Sequence, residues 1–582
     1  MSAADRAQPG AAPDRAQFGS DAIVELLVDL GIDLLPFAPG ATFRGIHDSL
    51  VNGRPDAPEI IECLHEEISV AVAHGYAKAT GRPAAAALHD IVGLQHATMA
   101  IYNAWCDRVP LLLLGGTGPV DAALRRPWID WIHTANIQAT QVRDYTKWDD
   151  QPASLPAAME AIVRGKQLAV AAPQGPVYLT IDSEIQENPV PEGFRVLDAG
   201  RYPAAEPIAP SAAAVEAIAS RLLAAESPLI AVESVDRTQS ALEQLVELAE
   251  LLGAAVVEVQ RDYNRTELCM PTRHPLNLTG MPLPQSPDVV LALEVRDVDV
   301  VPGLDAGTTV LQVTTSGLAP KAWAADLQRV QAAELLVPAQ VSALLPPLLA
   351  AVRRLAGEQP AARQRAGLRG ERLAAHSSRQ RGEWAATAAG SERLTPALLA
   401  ARLDAATRDH ERVLANGSLH NWVHRIWDID RVDRYLGSSG GAGLGYGLGA
   451  SIGAALAHRG SDRLVIDIQS DGDAMMTPGA LWTAARHRVP LLIVVENNRM
   501  WGNSFMHAVK IAELRGRSTE HAGIGTRIDD PAVDFVALAA SMGIEAGWRV
   551  EEAGELDTVL AAAVEHVMTR RLPAIVDVRT ED

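Results

Sequence analysis

Residues 463–503 read RLVIDIQSDGDAMMTPGALWTAARHRVPLLIVVENNRMWGN, and this stretch decides the fold. The segment LVIDIQ is a short apolar, β-branched run, TPGALWTAARH has helical patterning, and PLLIVVE is a second apolar run that ends abruptly in polar residues. The order strand, helix, strand predicts a βαβ unit. Its right-handed crossover brings both strand ends to the same edge of a parallel sheet.

The polar residues at these two strand ends predict a cation and phosphate site. Asp471 follows the first strand in SDGDA, and Asn498 follows the second in NNRMWGN. One carboxylate, one amide oxygen and a nearby backbone carbonyl are hard oxygen ligands that suit Mg²⁺. Gly472 lets the backbone approach a ligand closely, and the amides of the turn are suited to hold a phosphate. An ordinary Asp-Gly turn followed by an Asn-rich turn is the alternative interpretation.

The paired turns resemble the GDG…N signature of thiamine diphosphate-dependent enzymes, a family that includes acetolactate synthases, benzoylformate decarboxylases and benzaldehyde lyases. Ser470 takes the place of the first glycine. The resemblance implies three Mg²⁺ ligands: Asp471, Asn498 and the backbone oxygen of Met500. It also implies contacts with thiamine diphosphate at the same turns: Gly472, Asp473 and Asn498.

A second motif is HEEISVAVAHGYAKATGRP, residues 65–83. It begins like an H-E-x-x-H zinc motif, but Ser69 stands where the second histidine belongs, so the metal interpretation fails. Glu66 at a helix start is also what the helix dipole favours without any further role. The segment resembles the glutamate helix of the thiamine diphosphate family. That resemblance implies that Glu66 hydrogen-bonds the pyrimidine N1′ and promotes the imino tautomer that deprotonates thiazolium C2.

The stretch LHDIVGLQHATMAIYNAWCDRVPLLLLGG, residues 88–116, resembles the benzoylformate decarboxylase branch of this family. His89 matches its catalytic histidine, although a histidine at a strand end is also common as a structural residue. In PGATF, Ala41 occupies the position of a catalytic serine, so the substrate carboxylate must be handled differently. His133 falls where acetolactate synthases carry a glutamine that faces the substrate. His96 and Gln95 are further candidates.

The third candidate region begins with the segment RVLANGSLH, residues 412–420, in which Ser418 or His420 is placed to reach the cofactor. Next comes GSSGGAGLGYGLGASIGAALA, residues 437–457, which fits neither an ATP nor a dinucleotide motif. By resemblance, Leu444 is the bulky residue that props the cofactor into its bent shape. The run also contains G-x-S-x-G at 437–441, so a serine hydrolase that uses Ser439 is an alternative.

The chain has 582 residues, too many for a single hydrophobic core. Helical and β-type runs alternate in three segments, which predicts an α/β fold with three doubly wound parallel-sheet domains. We expect a disordered tail at 1–17 and a linker at 353–391. The domains, with the functions that the resemblance implies, are pyrimidine-binding at 18–185, central at 205–352 and diphosphate-binding at 392–582.

The composition excludes several classes of protein. A net charge of −21 argues against binding nucleic acid through bulk electrostatics. No apolar run approaches the roughly 18 residues that a membrane helix needs, and the N-terminus lacks the apolar core of a signal peptide. Three scattered cysteines do not form a disulfide framework. We expect a soluble, cytoplasmic protein with no nucleic-acid or membrane partner.

The resemblance implies a thiamine diphosphate- and Mg²⁺-dependent decarboxylase or carboligase that acts on 2-oxo acids. A carboligase like acetolactate synthase or benzaldehyde lyase, which makes 2-hydroxy ketones, is the first alternative. A non-catalytic paralogue that keeps the fold is another. Because family sites pair the pyrimidine domain of one subunit with the diphosphate domain of a second, the resemblance also implies a homodimer or homotetramer.

Overall fold

The computed structural model describes residues 16–260, 264–317 and 331–581. It contains three β-sheets, and the named strands in each of them pair in parallel. The prediction of three doubly wound parallel sheets is therefore confirmed. Most of the tail expected at 1–17, residues 1–15, lies outside the described residues.

The first sheet is built from the N-terminal part of the chain. Its strands are β1 Leu34–Phe37, β2 Glu59–Glu62, β3 Ala84–Leu88, β4 Leu111–Thr117, β5 Trp148–Asp150 and β6 Val177–Asp182. They lie in the order β2-β1-β3-β4-β6-β5. The helices are α1 Gly19–Asp29, α2 Arg44–Asn52, α3 Glu66–Thr80, α4 Asp90–Cys106, α5 Asp130–His133, α6 Leu155–Val170 and α7 Ser183–Glu187. The central strands β3, β4 and β6 are buried along their whole length, as expected for a parallel sheet covered on both faces.

The second sheet is formed by β7 Pro228–Val232, β8 Ala255–Glu258, β9 Val289–Leu293, β10 Thr309–Val313 and β11 Leu335–Val337, in the order β11-β10-β9-β7-β8. Its helices are α8 Ala212–Ala224, α9 Gln239–Leu252, α10 Val341–Glu358 and α11 Pro360–Ala389. The segment 353–391, predicted to be a solvated helical connector, is mostly the 30-residue helix α11. Two of its arginines, Arg369 and Arg381, are buried and donate hydrogen bonds to backbone carbonyls.

The third sheet is formed by β12 Arg412–Asn416, β13 Leu464–Ser470, β14 Leu491–Glu496, β15 Gly547–Val550 and β16 Ala574–Val578, in the order β12-β13-β14-β16-β15. Its helices are α12 Pro396–Thr407, α13 Trp422–Ile426, α14 Tyr446–Ala457, α15 Asp471–Ala474, α16 Gly479–Arg486, α17 Gly502–Leu514, α18 Phe535–Ser541 and α19 Leu556–Arg570. Strands β13 and β14 are adjacent and parallel, with α16 between them in the chain, so the predicted βαβ unit is confirmed.

The backbone contacts divide the chain into two compact units. The first comprises the chain up to Ala205 together with 443–457 and 477–487, and the second comprises the remainder. Helices α14 and α16 therefore belong with the first sheet, although both lie far from it in sequence. The alternating pattern of helices and strands gave no indication of this division.

Glycines make the contact between α3 and α14 possible within the first unit. A Cβ atom on Gly75 would lie 1.9 Å from the carbonyl oxygen of Ala450. On the facing helix, a Cβ atom on Gly453 would lie 2.0 Å from the carbonyl oxygen of Val72. Real Cβ atoms do not approach a carbonyl oxygen so closely, so any larger residue must push the two helices apart.

We expect Gly75→Ala to destabilise the first unit, because its methyl group has no room against the backbone of α14. Overpacking of this kind costs about 1–3 kcal/mol in the free energy of unfolding, which urea denaturation measures. Gly367→Ala on α11 is the matched control, since a Cβ atom there meets nothing within 4 Å. That change should be neutral or stabilising by up to about 1 kcal/mol. Equal effects of the two substitutions would contradict the packing argument.

Candidate active site

Glu66 is the first residue of α3, as the sequence predicted. The helix is capped by His65, whose Nδ1 accepts a hydrogen bond from the Glu67 N–H at 3.2 Å. Glu66 is buried, with 7% of the residue exposed, and its Oε2 lies 3.1 Å from His96 Nδ1 on α4. Gly93 lies beside it, and a Cβ atom there would lie 2.9 Å from Glu66 Oε1, so a larger residue would displace the carboxylate. The proposed role of Glu66 toward a cofactor stays a prediction.

A stacked pair of histidines lies beside this acid. The rings of His65 and His96 have centroids 4.6 Å apart and planes inclined by 20°. Burial lowers the pKa of His65, and the neighbouring His96 lowers it further. His96 was among the candidates predicted from the sequence, whereas His65 was not. The sequence did contain a signal for His65, because it directly precedes Glu66 at a predicted helix start, and the residue in that position caps the helix.

His89 lies at the end of β3 and caps α4. Its Nδ1 is 3.0 Å from the hydroxyl of Thr42, which lies on the 3₁₀ turn Ala41–Phe43. A Cβ atom on Gly40 would lie 2.4 Å from His89 Cγ, so only glycine permits this approach. Ala41 is exposed and has no hydroxyl group, but Thr42, the next residue, places its hydroxyl group beside His89. Burial lowers the pKa of His89.

Asp90 brings the two predicted histidines of the first unit together. It is 1% exposed, and its Oδ2 lies 3.4 Å from His89 Nε2 and 3.5 Å from His133 Nδ1. The two imidazole rings meet edge to face with centroids 5.4 Å apart. Burial raises the pKa of Asp90, and the nearby His89 opposes that effect. Neither Asp90 nor Thr42 was predicted from the sequence. Asp90 is adjacent to His89 in the chain, but only the fold shows that its carboxylate faces both histidines and that Thr42 contacts His89. Gln95 is exposed.

The predicted cation ligands lie at one edge of the third sheet. In the parallel pair β13 and β14, Ser470 is opposite Glu496. Asp471 follows Ser470 directly and Asn498 follows Glu496 after one intervening residue, so the register brings both to the same strand edge. The Asn498 Oδ1 accepts a hydrogen bond from the Met500 N–H at 3.1 Å, which fixes the second turn. Their role as metal ligands stays a prediction.

The burial and hydrogen bonding of Asp471 are those expected of a residue that binds a cation. It is 3% exposed, and its Oδ1 accepts a hydrogen bond from the Gly472 N–H at 2.7 Å. Its Oδ2 is buried and makes no hydrogen bond of ordinary geometry among the described residues, although the Arg499 and Met500 amides lie near enough to lower the pKa of this carboxyl group. Burial raises the pKa of Asp471 to about 6. A buried carboxylate oxygen without a donor is costly unless a cation or a proton compensates it, so this side chain suits Mg²⁺.

The raised pKa of Asp471 predicts that Mg²⁺ binding depends on pH. In the metal-free protein the carboxyl group is protonated below about pH 6 and ionised above it. Because Mg²⁺ binds the carboxylate and displaces its proton, we expect the affinity to be constant well above pH 6 and to weaken as the pH falls through that value. Calorimetric titration with Mg²⁺ on both sides of pH 6 measures this. An unchanged affinity in acid would contradict it.

Gly472 and Asp473 both lie against other groups of the protein. A Cβ atom on Gly472 would lie 2.5 Å from Cζ3 of Trp501, so the missing side chain makes room for the indole ring. The Asp473 Oδ2 accepts a hydrogen bond from Gln469 Nε2 at 2.6 Å. Trp501 was not predicted, although it follows the second turn directly. Both residues stay predicted cofactor contacts.

The turn after β12 has a strained backbone. Leu419, His420 and Asn421 have φ angles of 49°, 53° and 68°, a left-handed run that is unfavourable for residues other than glycine. Such strain often marks a functional site. Ser418 is buried, and His420 Nε2 lies 3.4 Å from Glu496 Oε1 at the end of β14. His420 therefore lies beside the strand edge that carries the predicted cation ligands.

Two remaining residues of the glycine-rich segment have different surroundings. Leu444 belongs to the first unit and is 41% exposed, so it presents an apolar surface. Ser439 is buried in irregular chain, with no strand directly before it and no helix directly after it. A serine-hydrolase elbow requires a strand-turn-helix context, so that alternative lacks its structural basis.

Two family models match this chain, and together they cover both predicted cofactor-binding regions. The N-terminal TPP binding domain of thiamine pyrophosphate enzymes matches residues 18–142. The C-terminal TPP binding domain of the same enzymes matches residues 415–578. Thiamine pyrophosphate is another name for thiamine diphosphate, so these matches agree with the cofactor that the motifs indicated.

Characterised relatives match along most of the chain. A benzoylformate decarboxylase from Pseudomonas aeruginosa is 27% identical over 540 residues, which covers 89% of this chain and 91% of that protein. The large subunit of acetolactate synthase isozyme 1 from Escherichia coli is 23% identical over 597 residues, covering 99% and 96%. The structure of a thiamine diphosphate-dependent 4-hydroxybenzoylformate decarboxylase from Rhodococcus jostii RHA1 has the same fold, with a TM-score of 0.77 at 23% identity over 97% of this chain and 99% of that one.

The comparisons and the geometry agree on the class of protein. Among the described residues, no helix is long and apolar enough to cross a membrane. Both cofactor-binding domains occur in the predicted order, and the chain is similar to benzoylformate decarboxylase and acetolactate synthase. The chain therefore belongs to the thiamine pyrophosphate-dependent enzyme superfamily.

Proposed function

We propose that this protein is a thiamine diphosphate- and Mg²⁺-dependent enzyme that breaks or forms a carbon–carbon bond beside the carbonyl group of a 2-oxo acid. The observation that carries the proposal is the position of His89 at the end of β3. Its Nδ1 is held by the Thr42 hydroxyl, and its Nε2 faces a buried carboxylate. An imidazole fixed in this way, with a lowered pKa, suits proton transfer to or from a substrate oxygen.

Bound thiamine diphosphate supplies a nucleophilic carbon for attack on a carbonyl and an electron sink for the carbanion left by C–C cleavage. Glu66 would hold a proton at the pyrimidine ring of the cofactor, with His96 as its hydrogen-bond partner. Asp471, Asn498 and the Met500 backbone oxygen would hold Mg²⁺ against the diphosphate. His89 would give or take the proton at the substrate oxygen, and the protein would otherwise orient the reactants and exclude water.

A carboligase that makes 2-hydroxy ketones is the second candidate, and one feature favours it. Ala41 presents a methyl group where the benzoylformate decarboxylase branch has a serine, and Asp90 adds a buried carboxylate near His89. The negative charge of Asp90 repels a substrate carboxylate, and Ala41 has no hydroxyl group to donate a hydrogen bond to it. Donors or products that carry no charge suit it better.

A substrate screen distinguishes these functions. The protein loaded with Mg²⁺ and thiamine diphosphate is incubated with pyruvate, benzoylformate and branched 2-oxo acids, each with and without an aldehyde acceptor. Carbon dioxide release and the products are followed by coupled assay and mass spectrometry. Carbon dioxide without a new C–C bond identifies a decarboxylase, and a 2-hydroxy ketone or acetohydroxy acid identifies a carboligase. Cofactor binding without turnover of any of these substrates would contradict the proposal and favour a non-catalytic paralogue.

We expect His89→Ala to slow turnover strongly while cofactor affinity stays within about threefold. The loss of a positioned acid/base typically costs about 10²–10⁴-fold in kcat. Thiamine diphosphate affinity, measured by calorimetry on the same preparation, separates the two effects. His47→Ala is the control, because His47 is an exposed histidine of the same unit that contacts the edge of Phe37. Equal kcat values for His89→Ala and the wild type would remove His89 from the proposed mechanism.

The proposal includes a homodimer or homotetramer in the cytoplasm, with no nucleic-acid partner. Large apolar side chains on the first unit favour self-association, because Trp128 and Trp131 are 73% and 75% exposed. Helix α17 in the second unit has no buried residue although it carries Met506, Ile511 and Leu514. Light scattering coupled to gel filtration measures the oligomeric state. The free cysteines fit a reducing compartment.

A further inference from the structure

Three side chains of the first unit, two of which also serve the proposed function, converge on one point in an arrangement that suits a metal ion. They are His89, at the end of β3, the adjacent Asp90, and His133 on α5. Their ligand atoms are His89 Nε2, Asp90 Oδ2 and His133 Nδ1, and no two of these atoms are more than 4.8 Å apart. Two imidazole nitrogens and one carboxylate oxygen form a donor set that first-row transition metals and zinc prefer.

The distances within this group do not fit ordinary hydrogen bonds. The Asp90 Oδ2 lies 3.4 Å from His89 Nε2 and 3.5 Å from His133 Nδ1. Nitrogen–oxygen hydrogen bonds in proteins measure about 2.7–3.2 Å. The His133 Nδ1 is moreover buried without a hydrogen-bond partner among the described residues. A direct proton relay through these three atoms is therefore poorly formed.

The same distances do fit the edges of a metal coordination polyhedron. Bonds of about 2.0–2.1 Å from Zn²⁺ to nitrogen and oxygen place two tetrahedral ligand atoms about 3.3–3.4 Å apart. Both measured nitrogen–oxygen separations are close to this value. The two nitrogens lie within 4.8 Å of each other, so a tetrahedral site requires the His133 side chain, which is 29% exposed, to turn toward His89. The exposed side leaves a fourth coordination position open to water.

The other polar atoms of two ligands are already engaged, as in protein metal sites generally. The Thr42 hydroxyl lies 3.0 Å from His89 Nδ1. In the tautomer in which Nδ1 donates this hydrogen bond, the lone pair of Nε2 faces the cluster. The Asp90 Oδ1 accepts a hydrogen bond from the Val92 N–H at 3.1 Å, which leaves Oδ2 facing the two histidines. Asp90 is 1% exposed, so its carboxylate has a fixed position.

We propose that His89, Asp90 and His133 form a binding site for a divalent ion of the zinc class, with three protein ligands and one open position. The site differs from the predicted Mg²⁺ site, whose donors are all oxygen atoms, and Mg²⁺ is a poor match for two imidazoles. The inference does not rest on the proposed function. A bound ion occupies Nε2 of His89, so the Zn²⁺-bound form and the form in which His89 transfers a proton to substrate exclude each other.

Zinc titration of the metal-stripped, full-length protein in the presence of excess Mg²⁺ tests the proposal. A chromophoric chelator reports free Zn²⁺, and we expect one high-affinity site per chain. His133→Ala and His133→Gln should remove that site, and Thr42→Val should weaken it by about 10–100-fold, as loss of an outer-shell partner does. His47→Ala and Asp471→Asn are controls and should bind Zn²⁺ as the wild type does. With Co²⁺ in place of Zn²⁺, the visible absorption of a low-coordinate site should appear in the wild type and be lost in both His133 variants.

Two results would overturn the proposal. One is the absence of a stoichiometric Zn²⁺ site in the wild type, and the other is a site that survives both His133 substitutions. Circular dichroism of each variant confirms that its fold is retained, and His133→Gln preserves side-chain volume in case the alanine variant unfolds. Because the readout is metal binding, failure here leaves the substrate screen unaffected. Failure of that screen likewise leaves the zinc titration interpretable.

Discussion

Glu66→Gln is expected to abolish the exchange of the C2 proton of bound thiamine diphosphate while leaving the fold intact. Glutamine has the size of glutamate and still offers an oxygen to His96, which lies 3.1 Å from Glu66 Oε2. It has no carboxylate to share a proton with the pyrimidine ring. The loss of such a group typically lowers the rate by about 10²–10⁴-fold. Exchange into deuterated water, quenched with acid and read by proton NMR, measures the rate.

Glu67→Gln is the matched control for this experiment. Glu67 lies on the same first turn of α3, so its substitution removes the same charge from the helix start. Any general effect on helix stability should therefore appear in both variants, and a fall in exchange should appear only at Glu66. Normal exchange in the Glu66 variant, or equal loss in the two, would remove Glu66 from its proposed role.

Asp471→Asn is expected to remove most of the Mg²⁺-dependent affinity for thiamine diphosphate. Substitution of an outer-shell partner of a metal ligand costs about 10–100-fold in affinity, so loss of the ligand itself should cost at least about 100-fold. Calorimetric titration of the cofactor with and without Mg²⁺ measures the difference. Asp462→Asn is the control, because Asp462 is an exposed carboxylate in the turn before β13. Unchanged affinity in the Asp471 variant would contradict the metal assignment.

The same substitution should stabilise the metal-free protein at neutral pH. Burial raises the pKa of Asp471 from 3.8 to about 6, so the folded state holds this proton more tightly than the unfolded state does. The resulting stability is fully present below pH 3.8 and is lost as the pH rises through about 6. At neutral pH the ionised form costs up to about 3 kcal/mol in the free energy of unfolding. Asparagine carries no such cost, so urea denaturation should find the metal-free variant more stable.

The sequence predicted the parts of the site that depend on local pattern. The βαβ unit fixed the edge on which Asp471 and Asn498 lie, because parallel strands joined by a helix end on the same side. The helix start at Glu66 and the strand end at His89 were likewise readable from apolar runs and the polar residues that bound them. These features follow from neighbouring residues, so a single sequence contains the necessary information.

The partners of those residues could not be predicted in the same way. Thr42 contacts His89, and His133 approaches Asp90, only because separate segments meet at the first sheet. The indole of Trp501 fills the space beside Gly472, where the motif indicated room for a ligand. Each of these contacts depends on how elements pack, and the periodicity of one segment carries no information about the segment that covers it.

The close packing of α3 against α14 has a consequence for folding during translation. Helix α3 leaves the ribosome long before α14 and α16, which complete the same compact unit and lie more than 360 residues further along the chain. Until then the N-terminal segment exposes an apolar helix face, and transiently exposed apolar surface favours chaperone binding. A fragment that ends at Ala205 should behave as an aggregation-prone intermediate, and the synthesis of α14 and α16 should be the event that allows this unit to close.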